Sequence, residues 1–266
     1  MDAVLLALVS AAFFGAMPVA VRFALGPPLV PAAVGALFMQ IATFAVLCGA
    51  AVVQGGVTLS GITPFLLAGA IAPGLSNVFI TLGIREAGAS RASVAFGTAP
   101  LFAVTIAVVA FDERPDAAVL LGALLIVCGG IALAGAALFA LRDNLVRHLS
   151  LETEVPSMTA GAAMLAASLV VTSLVVAVRR NRVVWAPTVV ARWLLPGAFV
   201  GLSYIALFEA FYRGTVSVVA PIVATESLFG VVFSWLLLRR SERVGPRVVV
   251  GAALVVAGGA LIAIVR

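Results

Sequence analysis

The chain repeatedly runs about 20 residues without a charge, the length of helix that crosses the apolar core of a bilayer. Apolar runs bounded by charges or turn residues fall near 3–24, 30–53, 63–84, 92–111, 117–141, 157–178, 187–211, 215–238 and 247–265. The separators include Gly26-Pro27-Pro28, Gln54-Gly55-Gly56, Asp112-Glu113-Arg114-Pro115-Asp116 and Arg179-Arg180-Asn181-Arg182. They combine helix breakers with charge, as segments at a membrane interface do. Composition removes the soluble alternative: 64% of residues are hydrophobic, 10% are charged and mean hydropathy is +1.25, whereas a soluble domain carries about a quarter of its residues as charges. The lipid bilayer is therefore the solvent and first partner. Short linkers imply antiparallel neighbours, so the expected fold is an all-α membrane protein, a polytopic helical bundle of about nine or ten transmembrane helices.

The amino end opens on Asp2 with no basic residue before its first apolar run, which reads as a retained span and not as a cleaved signal peptide. All sixteen basic residues are arginine. The net charge of +5 thus belongs to loops and helix ends facing anionic headgroups, and no nucleic-acid surface is implied. Cys48 and Cys128 lie deep in apolar runs, where buried free thiols are expected. The lone histidine, His148, supports neither a metal site nor a proton relay, and no cofactor motif is present; there is no Walker-type phosphate loop.

Self-comparison reveals a duplication. Glu113-Arg114, Gly122-Ala123 and Gly129-Gly130 recur 129 residues later as Glu242-Arg243, Gly251-Ala252 and Gly258-Gly259. At an offset of 127, Gly74-Leu75-Ser76 recurs as Gly201-Leu202-Ser203, Thr98 as Thr225, and Leu101-Phe102 as Leu228-Phe229. At 125, Phe14, Arg22 and Pro31 match Phe139, Arg147 and Pro156. The order is kept, so the chain divides into a first repeat over 1–136 with five spans and a second over 137–266 with a truncated first helix plus four. The sixth span overall has no counterpart for the first eleven residues of the first. Residues 117–150 then form one helix of about 51 Å at 1.5 Å per residue, or a span with a short amphipathic or re-entrant piece, or a stretch shortened relative to a parent.

Arginine placement bears on the same question. The loops at 179–182 and 239–247 hold seven of the sixteen arginines and should both face the cytoplasm, with the carboxyl terminus outside. A ten-span path also puts Arg85 and Arg91 inside, and a nine-span path puts Arg114 there.

Two units of about five spans, each closing on a Glu-Arg pair followed by an apolar helix with Gly-Ala and Gly-Gly, resemble the paired EamA domains of the drug/metabolite transporter superfamily. The resemblance covers essentially the whole chain. It implies ten helices in an inverted repeat and transport of small metabolites, often export of amino acids or drug-like compounds. It also implies a central cavity lined by segments 12–22, 74–85 and 93–105, with 137–147, 201–212 and 220–234 from the second copy.

Ionisable groups inside the membrane cost about 2.5–3.5 kcal/mol or more at a helix centre, so each needs a reason. Glu226 falls mid-span in Ala224-Thr225-Glu226-Ser227, and its neighbours at three and four residues, Ile222, Val223, Phe229 and Gly230, cannot pair with it. It is a candidate for proton coupling or for holding a cationic substrate group. Arg142-Asp143-Asn144 sits mid-helix if the sixth span is complete, with Arg147 placed to satisfy Asp143 at four residues; a buried Arg142 could pair with Glu226 or a substrate carboxylate. Glu209, with Arg213 at four residues, reads first as an interfacial ion pair. Asn77 and Tyr204 occupy matching positions beside the Ser76 and Ser203 of Gly-Leu-Ser and are candidate lining residues, as are Ser203 and Thr225. Gln40, Thr43 and Ser76 read equally as helix-packing groups. Trp185, Trp193 and Trp235 read as interfacial anchors.

These features favour a secondary transporter of the cell membrane, an exporter of small molecules by alternating access, with a proton as coupling ion and no enzymatic activity. A non-transporting scaffold or accessory subunit is the alternative. An intramembrane enzyme is the weakest reading, since no nucleophile with its base lies at membrane depth.

Overall fold

In lipid every backbone N–H and C=O must be satisfied within the chain, which leaves helices as the local structure for such apolar runs. The structure is a computed structural model of the full chain; it describes residues 2–27, 29–56, 58–99, 102, 130–214, 216–238, 245, 246, 248–254 and 257. Among the described residues there are helices and no strands. They are α1 (Ala3–Ala24), α2 (Ala32–Gln54), α3 (Thr63–Gly69), α4 (Ser76–Ala87), α5 (Ala89–Phe96), α6 (Gly130–Glu152), α7 (Ser157–Val178), α8 (Pro187–Arg213), α9 (Val216–Val223) and α10 (Glu226–Leu237).

The repeat is visible in how the helices begin and bend. Both second spans, α2 and α7, start one residue after a proline, Pro31 and Pro156, held at φ −54° and −61°, since proline fixes φ and lacks the N–H that a first turn leaves unused. The third span is α3 and α4 joined through a widened turn, Ala70–Leu75, in which Ala72 leaves helical geometry (φ −143°, ψ 124°) ahead of Pro73. The fourth spans are interrupted at equivalent places. After α5 the chain turns at Gly97-Thr98, and α9 and α10 are separated by Ala224-Thr225. In each break a threonine hydroxyl donates to a carbonyl of the preceding turn at 2.6 Å, Thr98 to Ala95 and Thr225 to Ile222, so the carbonyls freed by the break stay satisfied. The single span expected over 215–238 is therefore two half-helices.

Contacts along the helices fix their sense. Ser10 meets Ser203 and Ala3 meets Gly214, so α1 and α8 are antiparallel. Arg142 lies over Tyr204, and Arg147 reaches Phe211, so α6 runs parallel to α8 and opposite to α1. Gln54 meets Ser157 and Leu47 meets Gly161, so α2 and α7 are antiparallel. The third span lies parallel to α7, and α8 parallel to α2. Every repeat-related pair among these, first with sixth, second with seventh and third with eighth span, is thus antiparallel, and the duplication is inverted. Arg22 bonds the Arg85 carbonyl, which puts Arg85 at the same end as Arg179, the placement that a ten-span path gives.

Glycines set the separation between repeats. A Cβ on Gly69 would strike the backbone of Met164, and one on Gly74 would lie 3.2 Å from the Val171 Cβ. In the other repeat a Cβ on Gly197 would lie 2.6 Å from the Met39 carbonyl oxygen, and one on Gly201 2.7 Å from the Val46 Cβ. Met39 and Val46 match Met164 and Val171 at the offset of 125. Each third span is thereby packed on the second span of the opposite repeat.

The stretch where the second repeat is short is covered by α6. Its 23 residues rise about 34 Å at 1.5 Å each, and its first turns come from residues 130–136, which sequence matching assigns to the first repeat. The fifth span expected over 117–141 falls mostly on residues outside those described, as do Cys128, the Glu113-Arg114 and Glu242-Arg243 pairs and most of the last span. Cys48, expected to be a buried thiol, is only half-buried in α2.

Trp193 is not the interfacial anchor that its place in the sequence suggests. Trp193 is fully buried, its indole against Gly35 of α2, whereas Trp185 and Trp235 are exposed. The helix starts at Pro187, so Trp193 lies inside the span and cannot anchor at the interface.

Gly197→Ala is expected to lower the thermal unfolding transition in detergent, by an amount equivalent to about 1–3 kcal/mol of overpacking. Gly49→Ala, where a Cβ meets nothing within 4 Å, is expected to leave the transition unchanged or raise it slightly.

Candidate functional site

The centre of the bundle is built on α6, which packs against the third span, α5, α8 and α9. Arg142 and Asp143 face inward from it, 3% and 7% exposed. Burying a guanidinium at this depth requires compensation, and three neighbours supply it. Asp143 Oδ1 accepts from Nε at 2.9 Å and from Nη2 at 2.6 Å. The guanidinium carbon lies 4.4 Å from the ring centre of Phe139, three residues earlier on α6, and 5.0 Å from that of Tyr204 on α8, within cation–π range. Arg142 Nη1 has no hydrogen-bond partner.

Tyr204 is fully buried, its ring edge-on to Phe14 at 5.5 Å and 5.9 Å from Phe208, and its hydroxyl is unpartnered. Phe14 in turn contacts Phe139 at 6.0 Å. These two are repeat mates, so the pseudo-two-fold axis passes between them and the charged cluster lies beside it. Glu226, half-buried, is the first residue of α10. A carboxylate in the first turn is favoured by the helix dipole, and Glu226 lies within electrostatic reach of Arg142, Asp143 and Tyr204. Asn77 in α4, 1% exposed, leaves both amide atoms unpartnered.

Arg142, Asp143, Tyr204 and Glu226, with Thr225 next to it, are therefore brought to one place. The other candidates are engaged locally or lie elsewhere. Ser203 donates to the Ser10 carbonyl at 2.9 Å and so ties α8 to α1. Asn144 bonds the Ala140 carbonyl of its own helix, and the Thr225 hydroxyl serves the helix break. Asp143 pairs with Arg142 and not, as its spacing suggested, with Arg147, because Arg147 instead donates to the Phe211 carbonyl at 2.7 Å. That carbonyl is in the last turn of α8, where helix acceptors lack intrahelical partners.

Glu209 lies at the end of the bundle. Its Oε2 accepts from Arg213 Nε at 2.9 Å and Nη2 at 2.5 Å, and its Oε1 from Gln54 at 3.1 Å and from Ser157. The expected ion pair is present, and with it a network joining α2, α7 and α8. Sequence reasoning missed the aromatic frame of Phe14 and Phe139. Its signals were the repeat match between the two and the three-residue spacing of Phe139 from Arg142. Among the described residues no group of His, Cys, Asp and Glu could hold a metal ion.

A core of antiparallel repeat mates enclosing buried, unfilled hydrogen-bonding groups is the architecture of a membrane transporter. The sequence model of the EamA-like transporter family matches residues 1–134 and, a second time, 130–264. The chain belongs to the EamA-like transporter family, within the drug/metabolite transporter superfamily, and is a multi-pass membrane protein. The two matches overlap in the first turns of α6. Among solved structures, a protein crystal structure is similar with a TM-score of 0.70 at 18% identity, 99% of this chain and 96% of that chain being covered. That likeness is one of fold. No curated protein matches the sequence.

Arg142→Met is expected to destabilise the protein by about 3–5 kcal/mol, because Asp143 is left as an unpaired buried charge. Arg142→Met combined with Asp143→Asn should recover most of that loss, read as the detergent-solubilised melting transition of the single and double variants.

Proposed function

We propose that the protein is a secondary transporter of the cell membrane that exports small metabolites, amino acids or drug-like compounds among them, with Glu226 as the proton-coupling carboxylate. The observation that carries this reading is the pair of unfilled hydrogen-bonding groups buried at the centre, Arg142 Nη1 and the Tyr204 hydroxyl. A buried polar group without a partner costs about 1–3 kcal/mol, and a solute that fills these positions recovers it. Both groups sit in the second repeat, with Phe14 of the first against the Tyr204 ring. A solute held there lies between the halves that alternating access moves against each other.

The chemistry suits a zwitterion. Arg142 Nη1 and the Tyr204 hydroxyl can donate to a carboxylate, and Glu226 can take an ammonium group or, in its absence, a proton. Glu226 starts a half-helix, so the break at Ala224-Thr225 is where the carboxylate can change its exposure with the least loss of backbone bonding. The Glu209 network ties Gln54, Ser157 and Arg213 together at one end of the bundle. Opening that end towards the solute requires these bonds to part. Export as the direction, and protons as the coupling ion, follow the family resemblance and the single carboxylate at the helix break.

The test is transport in proteoliposomes, with a panel of amino acids and amphiphilic cations and an imposed pH gradient. The intact protein is expected to move at least one solute in a gradient-dependent manner, and Glu226→Gln at matched reconstitution to lose that dependence. Gradient-dependent transport retained in Glu226→Gln would remove Glu226 from the coupling step. Absence of transport of every solute, with a stable partner complex in the native membrane, would favour an accessory role.

A further inference from the structure

Away from the charged centre, a groove of about 490 Å³ runs down the lipid-facing side between the third span and α7. One wall is Leu75, Val78 and Phe79, the other is drawn from Val170, Leu174 and Val178, and Arg179 stands at its mouth. The close approach at Gly74 and Val171 brings the two helices together at its inner end. From Val170 to Arg179 the helix rises about 14 Å at 1.5 Å per residue, about half of a 30 Å hydrocarbon core, so the groove has the depth of one leaflet.

The charge at its mouth selects among lipids. Arg179, Arg180 and Arg182 are all exposed at the end of α7, and among the described residues none of them pairs with a carboxylate. Arg22, Arg85 and Arg192 are at the same end, where Arg192 bonds the Pro27 carbonyl beyond α1. By the arginine bias this is the cytoplasmic end, and anionic lipids are concentrated in that leaflet.

We propose that this groove is a binding site for one anionic phospholipid. An acyl chain lies along Leu75, Val78, Leu174 and Val178, and the headgroup phosphate is held by Arg179 with Arg180 and Arg182. The site is independent of the transport reading.

Native mass spectrometry of the purified full chain, titrated with dioleoyl phosphatidylglycerol or dioleoyl phosphatidylcholine, tests it. The expected result is a first bound phosphatidylglycerol held about tenfold more tightly than phosphatidylcholine. The surface variant Arg179→Ala/Arg180→Ala/Arg182→Ala should abolish that preference while keeping the fold, and Leu174→Trp, which fills the groove, should weaken both lipids. Free glycerol phosphate should not displace the lipid. Equal binding of the two lipids by the intact protein, or an undiminished preference in the triple variant, would overturn the proposal. So would a lipid-free dimer occupying the face.

Discussion

Four glycines, Gly69 and Gly74 in one repeat and Gly197 and Gly201 in the other, hold each third span against the second span of the opposite repeat. Association of helices in lipid rests on close packing, because lipid tails are as apolar as the helices themselves. A contact with little or no room for a Cβ therefore joins each third span to the opposite repeat, and the two such contacts are related by the duplication. Because each half supplies both a glycine span and the span that receives one, the halves interlock instead of lying side by side.

The scaffold is symmetric and the chemistry is not. At the repeat offsets, Arg142 and Asp143 stand opposite Met17 and Pro18, Tyr204 opposite Asn77, and Glu226 opposite Ala99. Among the described residues the charged groups of the centre come from the second repeat, while the first contributes apolar surface, Phe14 among it. Two copies of a cationic and acidic cluster near one axis would repel one another and double the desolvation cost. A single copy leaves one self-compensated ion pair and one further carboxylate. The breaks in the fourth spans, by contrast, are kept in both copies with the same threonine bond, as expected of a feature that serves backbone bonding and not recognition.

Much of this was legible in the chain. The limits of α1 and α7 follow from apolar runs that end at charges or begin after Pro156, and the offset matches pointed to the glycines and threonines that the fold pairs. Other features were not. The break before Glu226 was missed because the polar stretch Thr225-Glu226-Ser227 sits inside an apolar run long enough for one span, so it read as a buried site and not as a helix end. The local spacing of Asp143 and Arg147 suggested a pair that the helix end at Phe211 outcompeted. Trp193 resembled an interfacial anchor because it lies within two turns of the start of its span, yet Gly35 on α2 leaves room into which its indole packs. The depth of Arg142 could not be read from a helix whose extent was unknown; within the described α6, Gly130–Glu152, that residue falls near the middle.

A centre shared by the two repeats requires them to cross the membrane in opposite senses. Its most direct test is accessibility of single cysteines to a membrane-impermeant maleimide in whole cells, in a background with Cys48 and Cys128 replaced. Gly26→Cys, after α1, and Thr153→Cys, after α6, mark equivalent ends of the two first helices. Opposite behaviour is predicted, with position 153 labelled in intact cells and position 26 labelled only after permeabilisation. Labelling of both positions from the same side would contradict the inversion and the shared centre built on it.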